Sequence, residues 1–403
     1  MLALAVWAML TASAPIGITL TKDVANRSIG RDARPLVPHI GGRVAEAPLP
    51  LPAPKGARTY RHQWPAVYWE ANFIGDRLLL KFNDDKNEYR LTIDGQVLPI
   101  AQPGRAEIIV GGLGPGRHRA RLDKITESVD FIRAFDGFFV PQGKAVLPPT
   151  PRFRQIEFIG DSGMTGYGVR SDTRTCSTEE VRLRTDSGAA WPSLVGRSID
   201  ADYQINAISG IGLVRNFSGV RPDRVMSTVY PRSLPDGAQD WHDPSWHPEI
   251  VVIVLFNDFG TPIHPGERWK DQAAFAGEYI RAYQQLIATI HQRSPGATLV
   301  LPWPDLDQSN DMAMKQLSAG AQIAIRDAAV RAGVARIEFP SLPNFPAENS
   351  ACDYHGSRND HRRLADWMTA WLNARPDMWP RSGVDATPIP ATPPIRPATR
   401  HRY

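Results

Sequence analysis

Between residues 66 and 140 the apolar and polar positions change over in short runs. The segments VYWEANFIG, RLLLKFND, EYRLTIDG, AEIIVGG, HRARLDKI and AFDGFFV are rich in β-branched and aromatic residues. Gly, Asp and Asn punctuate them at roughly ten-residue spacing, the pattern of an antiparallel β-sandwich or jelly roll. Strict alternation in Tyr89-Arg90-Leu91-Thr92-Ile93 predicts a half-buried strand. Beyond a proline-rich link at 144–151 the pattern changes. Apolar runs at 156–159, 203–208, 250–255, 297–301 and 335–339 alternate with stretches of helical period. The clearest helix is 273–293, with Phe275, Tyr279, Tyr283, Leu286 and Ile290 on one face. Residues 312–332 and 360–374 read as helices too. Strands alternating with helices predict a five-stranded parallel sheet covered on both faces.

The predicted organisation is therefore a β-sandwich over 35–148 and an α/β/α domain over 152–376. Residues 35–58, dense in Pro, Gly and Ala, read as a lead-in to the sandwich. Residues 377–403 lack periodicity and are rich in Pro, so a disordered tail is expected. At the other end, residues 2–14 are apolar and finish in Ala12-Ser13-Ala14, which predicts a signal peptide over 1–22 and a secreted or periplasmic protein. No basic residue precedes that run and Pro15 follows it, so a strand or helix of the mature protein is the alternative. No run is long enough to span a bilayer.

A length of 403 residues fits two domains, and 42% hydrophobic with 22% charged residues is the balance of a soluble globular chain. The net charge of +4 is spread out. No basic block interleaves with aromatics, which argues against a nucleic-acid partner. Cys176 and Cys352 are the two cysteines. They are either one disulfide in an oxidising compartment or two unrelated buried thiols.

The strongest chemical signal is IEFIGDSGMTGYG at 156–168. A buried strand runs into Gly160-Asp161-Ser162, and the carboxyl ends of parallel strands are where ligands bind. Ser162 there is a candidate nucleophile; the plainer reading is a helix cap. A serine needs a base. CDYHGSRNDH at 352–361 supplies His355, with Asp353 two residues before it to orient the ring. Asp360 and His361 are rivals, but they open the last helix, where capping and a surface position suit them. An oxyanion needs fixed donors. Candidates are the Ser162 N–H, Gly210 in NAISGIGLVRN and the Asn257 side chain in VLFNDFG, each after a predicted strand. A simple turn at Gly210 and an Asx turn at Asn257 are the alternatives.

Ser162, Gly210, Asn257 and His355, in that order, resemble the four blocks of the SGNH (GDSL-type) hydrolases. TYRHQWPAVYWEANFIG, DDKNEYRLTIDG and LDKITES are similar to the jelly roll of carbohydrate esterase family two. TRTCSTEEVRLRTDSGAAW, ADYQINAISGIGLVRN and FNDFGTP…GERWK are similar to its catalytic domain, so the resemblance runs over about residues 58–375. It implies a jelly roll beside an SGNH α/β/α domain, and removal of acetyl groups from plant polysaccharides. It implies no metal and no other cofactor, an acetylated carbohydrate as partner, and leaves the oligomeric state open. Two departures stand out: Leu255-Phe256-Asn257-Asp258 replaces the usual Gly-Thr-Asn-Asp, and Gly356 follows the His where Pro is common. By the same resemblance Trp303, and more weakly Tyr354, would hold the sugar ring; a core or rim position is the alternative for Trp303. If the catalytic loops converge, Cys176 and Cys352 come close, and a disulfide would tie the His355 loop to the nucleophile side. The Asp353 carboxylate would raise the His355 pKa. A broader acyl esterase or lipase, and a carbohydrate-binding protein without activity, are the rival functions.

Overall fold

The structure, a computed structural model, describes residues 18–380 apart from 26, 28, 31, 142 and 304–311. Its first part is a run of short strands: β1 (Thr19–Asp23), β2 (Arg34–Pro35), β3 (His39–Gly41), β4 (Val44–Pro48), β5 (Arg58–His62), β6 (Tyr68–Ile74), β7 (Leu78–Asp84), β8 (Glu88–Ile93), β9 (Gln96–Ala101), β10 (Gly104–Gly111), β11 (Arg117–Lys124), β12 (Arg133–Val140) and β13 (Lys144–Ala145). They form two antiparallel sheets. One has the order β1-β10-β7-β12-β5-β4 with β2 on β12; the other has β13-β6-β11-β8-β9 with β3 on β6. Register explains the core. Leu122 of β11 lies opposite Trp69 of β6 and Leu91 of β8, and all three are buried. Phe82 of β7 lies opposite Phe135 of β12, and Phe135 meets Trp69 of the other sheet at 5.1 Å between rings. Aromatic rings thus fill the space between the sheets.

The second part is a parallel sheet of β14 (Arg154–Gly160), β15 (Ala201–Ala207), β16 (Ile250–Val254), β17 (Thr298–Val300) and β18 (Ile337–Glu338), in the order β15-β14-β16-β17-β18. Helices α1 (Ser162–Thr165), α2 (Thr178–Arg184), α3 (Trp191–Ser198), α4 (Met226–Val229), α5 (Gln272–Arg293), α6 (Met312–Arg331) and α7 (Arg358–Asn373) connect or flank it. One face packs Ile156, Phe158 and Val252 against Trp191 and Val195 of α3 and Met368 and Leu372 of α7. The other packs Ile159, Val251 and Ile253 against Phe275, Tyr279, Tyr283 and Leu286 of α5. Because β14 is flanked by β15 and β16, the connections leave it in opposite directions. A crevice at the carboxyl ends follows from that reversal.

Residues 35–58 are not a lead-in: β3 and β4 lie within them and β5 starts at their end, and Pro and Gly end strands too short to show a period. The expected leader also ran too far, because β1 pairs Thr19–Asp23 with Gly111–Glu107. The tail expected over 377–403 begins too early, because Met378 and Trp379 are buried in the core beside α3 and α7; residues 1–17 and 381–403 lie outside the described residues.

The two domains share polar contacts. Arg43 is fully buried, pairs with Glu157 at 2.8 Å, donates to the Tyr230 carbonyl and lies over the Trp241 ring. Asp202 on β15 accepts from His39 Nε2, Tyr68 Oη and Arg152 Nη1, each at 2.8 Å. Trp64 Nε1 donates to the Ser233 carbonyl at 3.1 Å.

Candidate active site

The strand β14 ends at Gly160, and Asp161 caps α1 from an extended backbone. Its Oδ1 accepts from the Gly163 N–H at 3.0 Å, and its Oδ2 from the Phe256 N–H at 3.4 Å. Burial pushes the Asp161 carboxyl up to about 6, against those backbone donors. Ser162 is therefore the first helical residue, where the backbone N–H has no acceptor within the helix.

His355 comes from the other end of the domain. Its Nε2 lies 2.9 Å from Ser162 Oγ. Its Nδ1 lies 3.0 Å from the Cys352 carbonyl oxygen. A carbonyl can only accept, so the proton sits on Nδ1 and Nε2 faces the serine with its lone pair. The Asp353 carboxylate is not the group that orients the ring. It accepts from Tyr167 Oη at 2.7 Å, and the Tyr167 ring stacks on His355 at 4.1 Å. The physical reason is the backbone: Asp353 and Tyr354 both have left-handed φ, +51° and +61°, which turns the carboxylate away. Each such residue costs about 1–3 kcal/mol, and such residues concentrate at functional sites. The expected rise in the His355 pKa is also corrected: burial pushes it down, outweighing the Cys352 and Asp353 backbone contacts and the Asp353 charge.

Three devices hold this loop. A disulfide joins Cys176 to Cys352, with Cα atoms 5.5 Å apart. Ser357 and Asp360 form a capping box at the start of α7, so Asp360 does cap. His361 is buried rather than on the surface, its Nδ1 accepting from the Trp191 N–H at 3.3 Å.

Gly210 and Asn257 stand beyond the ends of β15 and β16, the two neighbours of β14. Asn257 Nδ2 donates to the Ile211 carbonyl at 3.1 Å, which joins the two loops and leaves the amide a second N–H. Gly210 has φ +79°, and a Cβ there would meet nothing within 4 Å, so its backbone borders open space. Its carbonyl accepts from the Phe217 N–H at 2.9 Å. Asp258, buried, accepts from the N–H groups of Leu213, Val214 and Arg215 at 2.6, 2.8 and 3.0 Å; burial pushes it up to about 6. One carboxylate thus clamps the Gly210 loop to the Asn257 loop. The Ser162 N–H, the Gly210 backbone and the second Asn257 N–H thus stand beyond the ends of three adjacent strands.

Trp303 is 8% exposed and packs edge-on between Phe256 and Phe339, both at 5.9 Å. It is mostly a wall. Tyr354 is 71% exposed beside His355, with Arg174 over its ring at 4.9 Å. Sequence reasoning missed Tyr167 and Asp258. Tyr167 lies within the same glycine-rich segment as Ser162, and Asp258 adjoins Asn257.

Two family models match the chain: carbohydrate esterase 2 N-terminal over residues 53–150, and GDSL-like lipase/acylhydrolase over residues 158–376. An acetylxylan esterase / glucomannan deacetylase of Cellvibrio japonicus is 38% identical over 349 residues, 86% of this chain and 93% of that protein. Among solved structures, a carbohydrate esterase whose active site displays divergent catalytic and non-catalytic binding functions superposes with TM-score 0.76. It is 36% identical, covering 86% of this chain and all of that one. A family 2 enzyme with a carbohydrate-binding domain from Corynascus thermopiles (Myceliophthora fergusii) gives TM-score 0.65 at 27% identity, covering 85% and 98%.

Proposed function

The chain belongs to carbohydrate esterase family two, and from that premise we propose that it removes O-acetyl groups from plant polysaccharides through an acyl-enzyme on Ser162. The observation that carries the mechanism is the 2.9 Å contact between Ser162 Oγ and His355 Nε2. His355 takes the serine proton as Oγ attacks the acetyl carbon. The oxyanion forms toward the N–H groups of Ser162 and Gly210 and the free N–H of Asn257. Collapse expels the sugar alkoxide, which takes the proton from His355, and acetyl-Ser162 remains. Water, deprotonated by His355, then attacks the acyl carbon; Ser162 Oγ leaves, regains the proton from His355, and acetate is released. The base is oriented by the Cys352 carbonyl, so this is a Ser–His pair with a backbone acceptor, and Asp353 acts through Tyr167. The crosslink between Cys176 and Cys352 suits work outside the reducing cytoplasm.

Acetate release from acetylated xylan and glucomannan, and from 4-nitrophenyl acetate, tests this. Ser162→Ala is expected to lose about 10³-fold or more of the wild-type rate. Absence of release from every acetyl ester by folded wild type would sink the proposal.

A further inference from the structure

Glu127 belongs to the sandwich, in the connection from β11 to β12, yet its carboxylate lies against the catalytic loop. Oε1 accepts from the Ser209 N–H and Oε2 from Ser209 Oγ, both at 2.6 Å. Ser209 immediately precedes Gly210. Ser209 Oγ also lies 3.1 Å from Thr165 Oγ1, which is 3.3 Å from the Ser162 carbonyl. One carboxylate therefore touches the loop of the oxyanion donor and, through two hydroxyls, the nucleophile turn.

The connection that carries Glu127 is itself fixed from both sides. Thr126 Oγ1 and Ser128 Oγ donate to Asn87 Oδ1 at 3.0 and 2.9 Å, and Asn87 is held by Asp84. From the catalytic domain the Ser187 N–H donates to the Ile125 carbonyl at 2.8 Å. Glu127 itself is only 7% exposed. A buried carboxylate is costly unless its acceptor sites are filled, and here Ser209 fills both oxygens.

We propose that Glu127 is a positioning residue for the oxyanion site: by holding both donors of Ser209 it fixes the direction of the adjacent Gly210 N–H. The Gly210 peptide is then held at both ends, by Glu127 before it and by Phe217 N–H on its carbonyl after it. A donor that needs no reorganisation when charge develops is what stabilises a transition state. The first domain thereby completes the second domain's catalytic apparatus. This rests on the reading of Gly210 as an oxyanion donor.

The test separates that reading from acetyl specificity. Phosphorylation of Ser162 by diethyl 4-nitrophenyl phosphate expels 4-nitrophenolate through a five-coordinate phosphorus whose phosphoryl oxygen gains negative charge, without any sugar or acetyl group. Its rate is measured for wild type, Glu127→Ala, Glu127→Gln and Ser162→Ala, with kcat and KM for 4-nitrophenyl acetate and a melting curve for each. Glu127→Ala is expected to lose about 10–100-fold in phosphorylation rate and kcat, with KM within about twofold. Glu127→Gln, which can still accept from the Ser209 N–H and donate to its hydroxyl, is expected to recover most of the rate. If Glu127→Ala does not fold, Glu127→Asp replaces it; the shorter carboxylate keeps the charge but draws back from Ser209, and the same loss is expected. A folded Ala or Asp variant within about twofold of wild type in both rates, a loss borne by KM alone, or no recovery in Glu127→Gln would overturn the proposal. Failure of acetate release from polysaccharides, with these effects on phosphorylation intact, would instead overturn only the proposed substrate.

Discussion

His355 must be neutral before it can take the serine proton. Its burial lowers its pKa, so the neutral form persists below the ordinary histidine value of about 6.5. Asp161 and Asp258 must be ionised to accept all their backbone donors, and burial pushes both carboxyls up to about 6. All three lose their working form as pH falls. The expectation is that kcat/KM for 4-nitrophenyl acetate rises with pH through about 6, more steeply than for one proton, and is flat above about 7. A limb centred above 6.5 would restore a charge-stabilising role to Asp353. A second measurement bears on the same residue. In a Ser–His–Asp triad the Asp→Asn change costs about 10⁴ in kcat, whereas Asp353→Asn is expected to cost about tenfold or less because Nδ1 is held elsewhere. The contact of Ser162 with His355 was legible in sequence, one residue after a buried strand and the other on the loop before the last helix. The role of Asp353 was not. Adjacency along the chain puts a carboxylate near a ring, but the left-handed turn at 353–354 decides which way it points.

At the scale of elements, periodicity carried far. The helix expected at 273–293 is Gln272–Arg293, and the five apolar runs are the five parallel strands. What had no period was missed: β2, β3 and β4 are two to five residues long, and α2 buries no residue, so it shows no apolar stripe. Close packing between loops was also invisible. Gly168 has φ +58°, and a Cβ there would come within 2.5 Å of Cys352 Cβ and 3.2 Å of its backbone N. Gly168→Ala would push the loop that carries His355 and its carbonyl partner. We expect about a 10²-fold loss in kcat with an unchanged far-ultraviolet circular dichroism spectrum, since small misplacements of reacting groups cost that much. Activity near wild type would mean the loop can yield without moving the base.

Across the whole molecule the sequence announced two domains but not their union. Besides a shared apolar core, the interface holds single polar residues scattered along the chain, Arg43, Asp202 and Glu127 among them, and no local pattern marks such residues. Arg43 is the strongest case. Its removal leaves Glu157 buried without its cationic partner, with Asn206 Nδ2 and the Tyr230 hydroxyl as neutral neighbours. Arg43→Ala is expected to lower stability by about 3–5 kcal/mol in urea unfolding. Because the buried apolar residues of the sandwich continue into one face of the parallel sheet, both domains should unfold in one transition. Two separated transitions would show that each domain stands alone.

The Cys352 carbonyl has an evolutionary consequence. Every amino acid carries a main-chain oxygen, so no codon change can delete the acceptor that holds His355 Nδ1. Drift at position 353 can alter Tyr167 and its surroundings without disarming the enzyme, as long as the turn keeps its shape. Selection on that orientation falls on the path of the loop, and an acidic side chain before the histidine becomes a position open to exploration.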